Sequence, residues 1–440
     1  MSDNGKGRSG RFTLKGWHVA LTVIVAVVGL IALYIVVARG RLDRRLEALR
    51  AAGYPTTLAE LAEYNRLPAG VANAAGVYTR AFAAYVPPLD DANTPYLGTA
   101  RLPDRGKPLA EPMLKAISQC LASNQQCLSL LHEAAGIEGC DYDWDWRQYA
   151  TTGFKQLTDV KRCAQLLGLS AVYYSHMGDP NGAMRCVEEG LRLTDSVRRE
   201  PALINYLVRV ACVGLTVGSL ERSLSAAAFT DRQLAQLDEA LMGTSGTVDL
   251  TQAMITERCI MIETCRDPSL AAGPGQGPGP RMLPGVTRTG IADILNYMND
   301  CIEASERPPT ERLTGFREAA KEVENLSFLH FMVKLLAPAM GRVAELDLRA
   351  RASVDLARTA LAIERYRLAT GKVPERLEEL VPQYLEEVPT DPFDGRPIRY
   401  RRTDPGYLLY SILEDGQDNG GKEKVPRSND PYDWSFIVIR

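Results

Sequence analysis

Four aspartates near the end of the sequence have the residue type and spacing of a cation site. Asp415 and Asp418 lie within the glycine-rich stretch "DGQDNGG", and Asp430 and Asp433 follow it. Carboxylates and backbone carbonyls are the ligands that hard cations prefer, and glycines let a loop wrap closely around an ion. Lys422, Lys424 and Arg427 lie in the same segment and oppose a cation. A solvated acidic loop is therefore the alternative.

A second candidate is "CDYDWDWRQY", Cys140–Tyr149, in which acids alternate with aromatic residues. The acids are Asp141, Asp143 and Asp145, and the aromatic residues include Tyr142, Trp144 and Trp146. Such a segment fits either an acid pair or a sugar-binding platform, and would then belong to an extracytoplasmic enzyme. The alternative is an aromatic loop that caps a helical core.

Familiar catalytic and cofactor motifs are absent from the sequence. It contains no HExxH, GxSxG, GxxxxGK[ST] or strand-linked GxGxxG pattern. The four histidines are not spaced with cysteines as in zinc sites; they are His18, His132, His176 and His330. We therefore predict a non-enzymatic protein that has no catalytic residues and no cofactor other than a bound cation.

An apolar segment near the N-terminus has the length of a membrane anchor. Trp17–Ala38 holds 22 residues without Asp, Glu, Lys or Arg. A helix of that length spans roughly 33 Å, enough for the hydrocarbon core of a bilayer. Arg39 and Arg41 follow it in place of a small-residue cleavage site, which favours a retained anchor over a signal peptide. Basic residues are nearly balanced on its two sides, so charge alone leaves its orientation open.

Net charge and cysteine count bear on the partners of the protein and on its disulfides. The net charge of −3 argues against nucleic acid as a partner, because no basic field attracts phosphates. Nine cysteines, all within Cys120–Cys301, leave at least one unpaired in any monomeric disulfide scheme. Two alternatives stay open: free buried thiols, or some long-range disulfides in an oxidising compartment.

The centre of the chain is predicted to be helical. The predicted helices cover 56–66, 72–85, 110–135, 154–177, 181–199, 202–226, 231–242, 248–266, 289–304 and 310–337, with boundaries at Pro201 and Pro338. Leu169–Val197 resembles one tetratricopeptide unit, in which Gly178-Asp179 joins two helices. Since no second good copy follows, a degenerate array of helical hairpins is expected. Ala271–Gly285 is a Gly/Pro-rich loop by composition.

The last hundred residues have a different pattern. Gly341–Thr370 carries one apolar stripe, and Gly371 suits the left-handed position just past a helix. Ile398–Arg402, Tyr407–Ile412 and Trp434–Ile439 are strand-like. "TDPG" separates the first two, with Pro405 and Gly406 suited to the centre of a type II turn. One long helix packed on a small antiparallel sheet is therefore predicted.

This C-terminal region resembles the major pseudopilins of type II secretion. Three patterns over about 100 of the 440 residues carry the resemblance: a helix end, an Asp-Pro-aromatic turn, and a Ser strand followed by an Asp-Gly loop. Their residues are Tyr366, Gly371, Pro374; Asp391, Pro392, Phe393, Gly395, Pro397; and Tyr407, Ser411, Asp415, Gly416. The whole chain also resembles large membrane-anchored proteins of planctomycete-type bacteria.

The resemblance implies calcium in the loop after the Ser strand, at Asp415, Asp418, Asp430 and Asp433. It also implies a single-pass protein of the inner membrane with its bulk outside the cytoplasm, related to secretion-system or pilin components. Protein partners, self-assembly and lipid contact through 17–38 are expected. The N-terminus departs from prepilins, because Arg11 separates Gly10 from Phe12 and Gly16 replaces the Glu at the fifth position.

The expected fold is mainly α, with a single N-terminal transmembrane helix and a small α+β module at the end. Four parts follow: a disordered cytoplasmic tail over 1–16, a transmembrane anchor over 17–38, a helical domain over 39–340, and a pseudopilin-like module over 341–440.

Overall fold

The computed structural model describes residues 16–245, 249–267, 270, 284–324, 331–425 and 427–440. Helices make up 63% of the chain and accompany one three-stranded antiparallel sheet, so the predicted mainly α class is confirmed. The predicted tail over 1–16, except for Gly16 at the start of the first helix, and most of the predicted Gly/Pro-rich loop lie outside the described residues.

The α-helices follow one another from near the N-terminus to Thr370. They are α1 Gly16–Ala51, α2 Leu58–Tyr64, α3 Ala75–Ala83, α4 Glu111–Ser123, α5 Gln125–Ala135, α6 Tyr149–His176, α7 Pro180–Asp195, α8 Leu203–Ala226, α9 Asp231–Ser245, α10 Leu250–Arg266, α11 Pro284–Glu306, α12 Pro309–Glu324 and α13 Phe331–Thr370. Short 3-10 helices occupy Trp146–Gln148 and Leu377–Leu380.

The sheet follows the helices and confirms the three predicted strands to within a residue at each end. β1 is Arg399–Thr403, β2 is Gly406–Ser411 and β3 is Trp434–Val438, in the order β1-β2-β3. The register pairs Thr403 with Gly406, so Asp404 and Pro405 are the central residues of the turn and the predicted type II turn is wrong. Gly406 has a φ of +101°, and a Cβ there would lie 1.9 Å from the Val438 carbonyl oxygen, so only glycine fits.

One predicted helix is broken in two at Asn124. The expected helix over 110–135 is α4 followed by α5. The Asn124 side chain is buried and pairs with the backbone of Val86 in both directions: its Nδ2 donates to the carbonyl at 2.8 Å, and its Oδ1 accepts from the N–H at 2.9 Å. These hydrogen bonds connect the break between α4 and α5 to the segment that follows α3.

The helical hairpin predicted around Gly178-Asp179 is present as α6 and α7. Asp179 caps α7, because its carboxylate accepts a hydrogen bond from the Gly182 N–H at 3.0 Å, and Pro180 opens the helix. Within the described residues, extended strands occur only in the C-terminal sheet, as the helical pattern of the preceding chain predicted.

Helix α13 differs most from its predicted form. It begins by Phe331 and passes through Pro338, so the predicted boundary at that proline is wrong. Val333, Ala337 and Met340 are buried around the proline, and this packing on both sides outweighs the lost backbone hydrogen bond. The predicted division between 340 and 341 therefore falls inside one continuous helix.

A single apolar core joins the helices before that division to the sheet after it. This core contains residues from α1, α8, α9, α11, α12 and α13, such as Leu46, Leu220, Met298 and Leu361. It also contains the strand residues Tyr407, Leu409, Phe436 and Val438. A second core lies among α3 to α6 and includes Ile117, Leu131 and Leu166. The sheet packs on the larger core, with Tyr407 donating a hydrogen bond from its hydroxyl to the Ala360 carbonyl at 3.2 Å.

Candidate functional site

The acidic loop between β2 and β3 is organised around Asp433. This side chain is buried, and its Oδ2 accepts hydrogen bonds from the backbone N–H of Asn419 at 3.0 Å and of Gly421 at 2.7 Å. Burial raises the pKa of the Asp433 carboxyl, and these donors oppose the shift. Gly421 is required here, since its φ is +76° and a Cβ would lie 2.5 Å from Leu408 Cδ2.

The other three predicted ligands lie at different parts of the loop, and all are exposed. Asp418 Oδ1 accepts from the Tyr410 hydroxyl at 3.1 Å and from the Gly420 N–H at 2.9 Å. Asp415 accepts from the Gln417 N–H at 3.0 Å, and Asp430 pairs with the Lys422 ammonium at 3.3 Å. Each carboxylate therefore has a partner within the protein.

Only part of the predicted set suits a calcium ion. Asp418 and Asp433 face the same backbone stretch, because the consecutive N–H groups of residues 419–421 donate to Asp433, Asp418 and Asp433 in turn. Asp415 caps a turn, and Asp430 is neutralised by Lys422. In the described parts of the chain, no group of three or more His, Cys, Asp or Glu side chains is arranged to hold a metal ion. Calcium stays a prediction, now centred on Asp418 and Asp433.

The loop is attached to α13 by charged contacts. The Arg349 guanidinium forms a two-pronged ion pair with the Glu414 carboxylate and also donates to the Tyr432 hydroxyl at 3.2 Å. The Lys424 ammonium lies 5.1 Å from the centre of the Tyr432 ring, at cation–π distance. Both ends of the loop therefore meet at Arg349, which fixes its position on the helix.

Asp391 organises the turn that precedes the sheet. Its carboxylate is fully buried and accepts from the Ser411 hydroxyl at 2.9 Å, the Ile412 N–H at 3.0 Å and the Arg399 guanidinium at 2.7 Å. The sequence placed this residue in a turn but gave no sign that it also holds β2. The Asp-Pro-aromatic turn and the Ser strand are therefore joined through one side chain.

The aromatic segment Cys140–Tyr149 lies against the second core and the link between α7 and α8. Asp141 accepts from the Leu67 N–H at 2.9 Å and the Asp143 N–H at 2.8 Å, and Asp145 accepts from the Arg147 N–H at 3.0 Å. The Trp144 and Trp146 rings meet edge to face with centroids 6.4 Å apart. Asp145 thus supports a local turn, while Asp141 also joins this segment to the chain after α2.

Sequence reasoning missed the buried acid beside this segment, Glu200. It is 2% exposed, and its Oε1 accepts from the Tyr142 N–H at 2.7 Å. Among the described residues its Oε2 has no hydrogen-bond partner. Burial raises the pKa of this carboxyl to about 8, and the Asp141 carboxylate adds to the shift. A lone Glu before Pro201 carries no pattern that would have revealed this.

A buried ion network between α8, α12 and α13 was also missed. Asp347 is fully buried; it accepts from the Tyr206 hydroxyl at 2.5 Å and pairs with the Arg312 guanidinium at 3.0 Å. Because its polar atoms are satisfied from two other helices, this acid joins α13 to the rest of the core. Its position on the predicted apolar helix gave no signal in the sequence.

Helices α8 and α1 both carry apolar stretches, and they differ in how far these stretches are buried. By length and composition, α8 is the one helix of the described residues that qualifies, and half of it is buried inside the protein. Its neighbours are core residues, so its apolarity is explained by packing. In α1 the side chains of residues 21–29 and 33 that the structure describes are all exposed, and the large ones are Leu21, Val23, Ile24, Val25, Val27, Val28 and Leu33.

All nine cysteines are free thiols, and eight of them are buried. This matches the first of the two alternatives considered for the sequence. Comparison with known proteins adds no assignment: no family model, no curated protein and no solved structure matches the chain. The pseudopilin and tetratricopeptide resemblances therefore stay predictions.

Proposed function

We propose that this chain is a single-pass, membrane-anchored protein that acts by binding partners. The observation that carries the proposal is α1. Its first half presents exposed apolar side chains, while Leu42 and Leu46 in its second half are buried in the main core. One helix thus joins a largely apolar exposed stretch, residues 21–29 and 33, to the folded body.

The docked half of α1 supports a firm connection. The Arg45 guanidinium donates to Asn296 Oδ1 on α11 at 2.7 Å, and no break in the helix separates this contact from the apolar half. A bilayer would cover the exposed apolar side chains between Leu21 and Val28. The inner membrane, with the bulk of the chain outside the cytoplasm, is the proposed location.

The proposed role is structural, as a divergent secretion-system or pilin-like component. β3 is covered, because the Glu221 carboxylate of α8 accepts from the Ile437 N–H at 2.6 Å. β1 forms the other edge of the sheet and its last three residues are exposed, so it offers backbone groups for a partner strand. We include a calcium ion at Asp418 and Asp433 in the proposal.

The proposal is tested by fusing reporters after Arg440 through a flexible linker. The linker matters because the Arg440 side chain is held by Glu364 at 2.7 Å and by the Ala227 carbonyl at 2.8 Å. A reporter that is active only outside the cytoplasm is expected to function, and the protein is expected in the membrane fraction.

The matched control is Val25→Arg with Val27→Arg, which places charges in the exposed apolar half of α1 without touching the core. Membrane association should fall strongly, since each charge at the bilayer centre costs roughly 2.5–3.5 kcal/mol. Activity of only the cytoplasmic reporter, or unchanged membrane association in the charged variant, would contradict the proposal.

One observation favours a second candidate, an extracytoplasmic enzyme near 140–149. Burial raises the pKa of Glu200 to about 8, which favours its protonated form at neutral pH, and the Asp141 carboxylate lies nearby. An acid and a carboxylate so placed are suited to general acid–base work. The test is hydrolysis of an oligosaccharide panel by the wild type, Glu200→Gln and Asp141→Asn. Activity lost in both variants would support the enzyme, and no activity in the wild type would exclude glycoside hydrolysis on that panel.

A further inference from the structure

The core among α3 to α6 brings two thiols together from different helices. Cys127 lies in the first turn of α5 and Cys163 lies in the middle of α6, and both are fully buried. Their Sγ atoms are 4.0 Å apart, within thiol hydrogen-bond distance. The two residues are 36 positions apart in sequence. No other pair among the nine cysteines has a recorded contact of this kind between described side chains.

We infer that Cys127 and Cys163 are a dithiol site that closes to a disulfide linking α5 to α6 when the chain meets a disulfide oxidant. The sulfurs must approach by about 2 Å to reach the covalent S–S distance, which requires rotation about the Cα–Cβ bonds together with a shift of the first turn of α5. Cys127 is in the terminal turn of a helix, where the backbone yields most readily. The inference deepens the proposed function, because it rests in the cell on an extracytoplasmic, oxidising location.

The two thiols differ in chemical role. Cys127 lies in the first turn of α5, whereas Cys163 lies in the middle of the long helix α6. Because a helix end opens more readily than a helix centre, the Cys127 sulfur meets the oxidant first and is the attacking sulfur. Its thiolate attacks one sulfur of the oxidant disulfide, forms a mixed disulfide and releases one oxidant thiolate.

Cys163 completes the reaction. Its thiolate attacks Cys127 Sγ, the protein disulfide forms, and the second oxidant thiolate leaves. The two thiol protons pass to the two released thiolates. The protein loses two electrons, and the oxidant disulfide is reduced to two thiols.

A third thiol provides an internal competitor. Cys212 on α8 is fully buried and lies near enough to Cys163 to influence its ionisation. The structure records a sulfur–sulfur contact for Cys127 with Cys163. The inference therefore specifies 127–163 and excludes 163–212.

Burial determines when the bond forms. Since both thiols have no exposed surface, oxidation must occur during folding or through local opening of α5. Once the core has closed, the same burial protects the disulfide from external reductants. Closing a loop of this length constrains the unfolded chain, so the oxidised protein should melt a few degrees higher.

The experiment refolds the full chain in detergent with oxidised glutathione as the oxidant, and with reduced glutathione in parallel. Free thiols are alkylated and the linked peptides are mapped by mass spectrometry. The expected result is one crosslinked peptide pair containing Cys127 and Cys163, with a raised melting temperature. Reductant should remove the bond only after denaturation.

Matched variants distinguish the outcomes. Cys163→Ala should abolish the crosslink and the shift in melting temperature, while Cys212→Ala and Cys301→Ala, which also remove buried thiols, should retain both. Full alkylation of Cys127 and Cys163 in oxidant-refolded wild type, or a crosslink between Cys163 and Cys212, would overturn the inference.

Thiol trapping in cells separates this inference from the proposed location. The pair is expected to be oxidised in protein taken directly from cells. If the bond forms with glutathione on refolding but the cellular pair is reduced, the location fails and the dithiol site stands. If the pair does not form on refolding, the site fails whatever the location.

Discussion

At the scale of single residues, Glu200 shows how a buried acid makes stability depend on pH. Its pKa is about 8 in the folded protein and 4.5 for an exposed glutamate. Between these values the folded state holds a proton that the unfolded state has lost. The free energy of unfolding therefore falls as the pH rises from about 4.5 to about 8. Above pH 8 this group causes no further loss of stability.

The corresponding prediction is that Glu200→Gln removes this loss. At roughly 1.4 kcal/mol per pKa unit, the variant should gain up to about 5 kcal/mol relative to the wild type over that range. Denaturant unfolding at a series of pH values measures the difference, and the exposed Glu378→Gln is the matched control. Parallel curves for the wild type and Glu200→Gln would show that Glu200 is not a protonated buried acid.

A second prediction at this scale concerns calcium. A bound ion at Asp418 and Asp433 should raise the melting temperature of the full chain, by an amount equivalent to about 2.7 kcal/mol at a hundredfold excess over the dissociation constant. Asp418→Asn should abolish the rise, because the exposed carboxylate would be lost as a ligand. Asp430→Asn, whose side chain pairs with Lys422, should leave it unchanged. If the wild type melts at the same temperature with calcium and with chelator, the loop does not bind calcium and its acids are only solvated.

At the scale of elements, α1 has two halves with opposite environments. Leu46 is 3% exposed and Leu33 is 60% exposed in the same helix. Leu46→Ala should lower the free energy of unfolding by about 2–4 kcal/mol through the lost burial and the cavity left behind. Leu33→Ala should leave the unfolding of the folded body unchanged.

Denaturant unfolding of both variants in the same detergent measures this contrast. Equal effects of the two substitutions would mean that the second half of α1 is not docked in the core. Retention of the protein in the membrane fraction in both cases would keep the docking question separate from anchoring, which depends on the whole apolar half.

The helix ends show which features of the fold can be predicted from local sequence patterns. Asp179, Pro180 and Gly371 are capping and stop signals, and the corresponding helix ends were predictable because capping chemistry is local. The α4–α5 break was not, since Asn124 is held by Val86 through tertiary hydrogen bonds. The prediction of a helix boundary at Pro338 was wrong for the same reason. Packing against other helices keeps α13 helical on both sides of this proline.

The candidate site follows the same rule. The loop and its acids were predictable from Asp-Gly turns and glycine spacing, and the strands on both sides were located within a residue. The partners of those acids were not, because Lys422, Tyr410 and the loop N–H groups are selected by the folded path of the chain. Glu200 and Asp347 owe their character to burial between helices, which no spacing in the sequence records.

At the scale of the whole molecule, the last hundred residues depend on the rest. Helix α13 is buried on most of its surface between Val343 and Glu364. Salt bridges join it to α9, with Arg358 to Asp238 at 2.7 Å and Arg365 to Asp231 at 2.8 Å. The sheet and the preceding helices thus share one core.

We therefore predict that residues 341–440 do not fold alone. The fragment would expose the apolar faces of α13 and leave Asp347 without Tyr206 and Arg312. Circular dichroism should show little helix and no cooperative melting, whereas the full chain melts cooperatively. A sharp transition in the isolated fragment would establish an independent module.

The cover over β3 has a consequence for the order of events in folding. The contact between Ile437 and Glu221 closes a loop of 216 residues. Contacts between such distant positions form slowly, because the chain must lose loop entropy before any stabilisation is gained. Helices α6 to α8 can assemble from near neighbours well before this strand arrives. Until β3 docks, one edge of β2 is unpaired and Glu221 on α8 lacks its hydrogen bond from Ile437. The chain is therefore most prone to aggregation, and most dependent on chaperones, in the interval before this last strand docks.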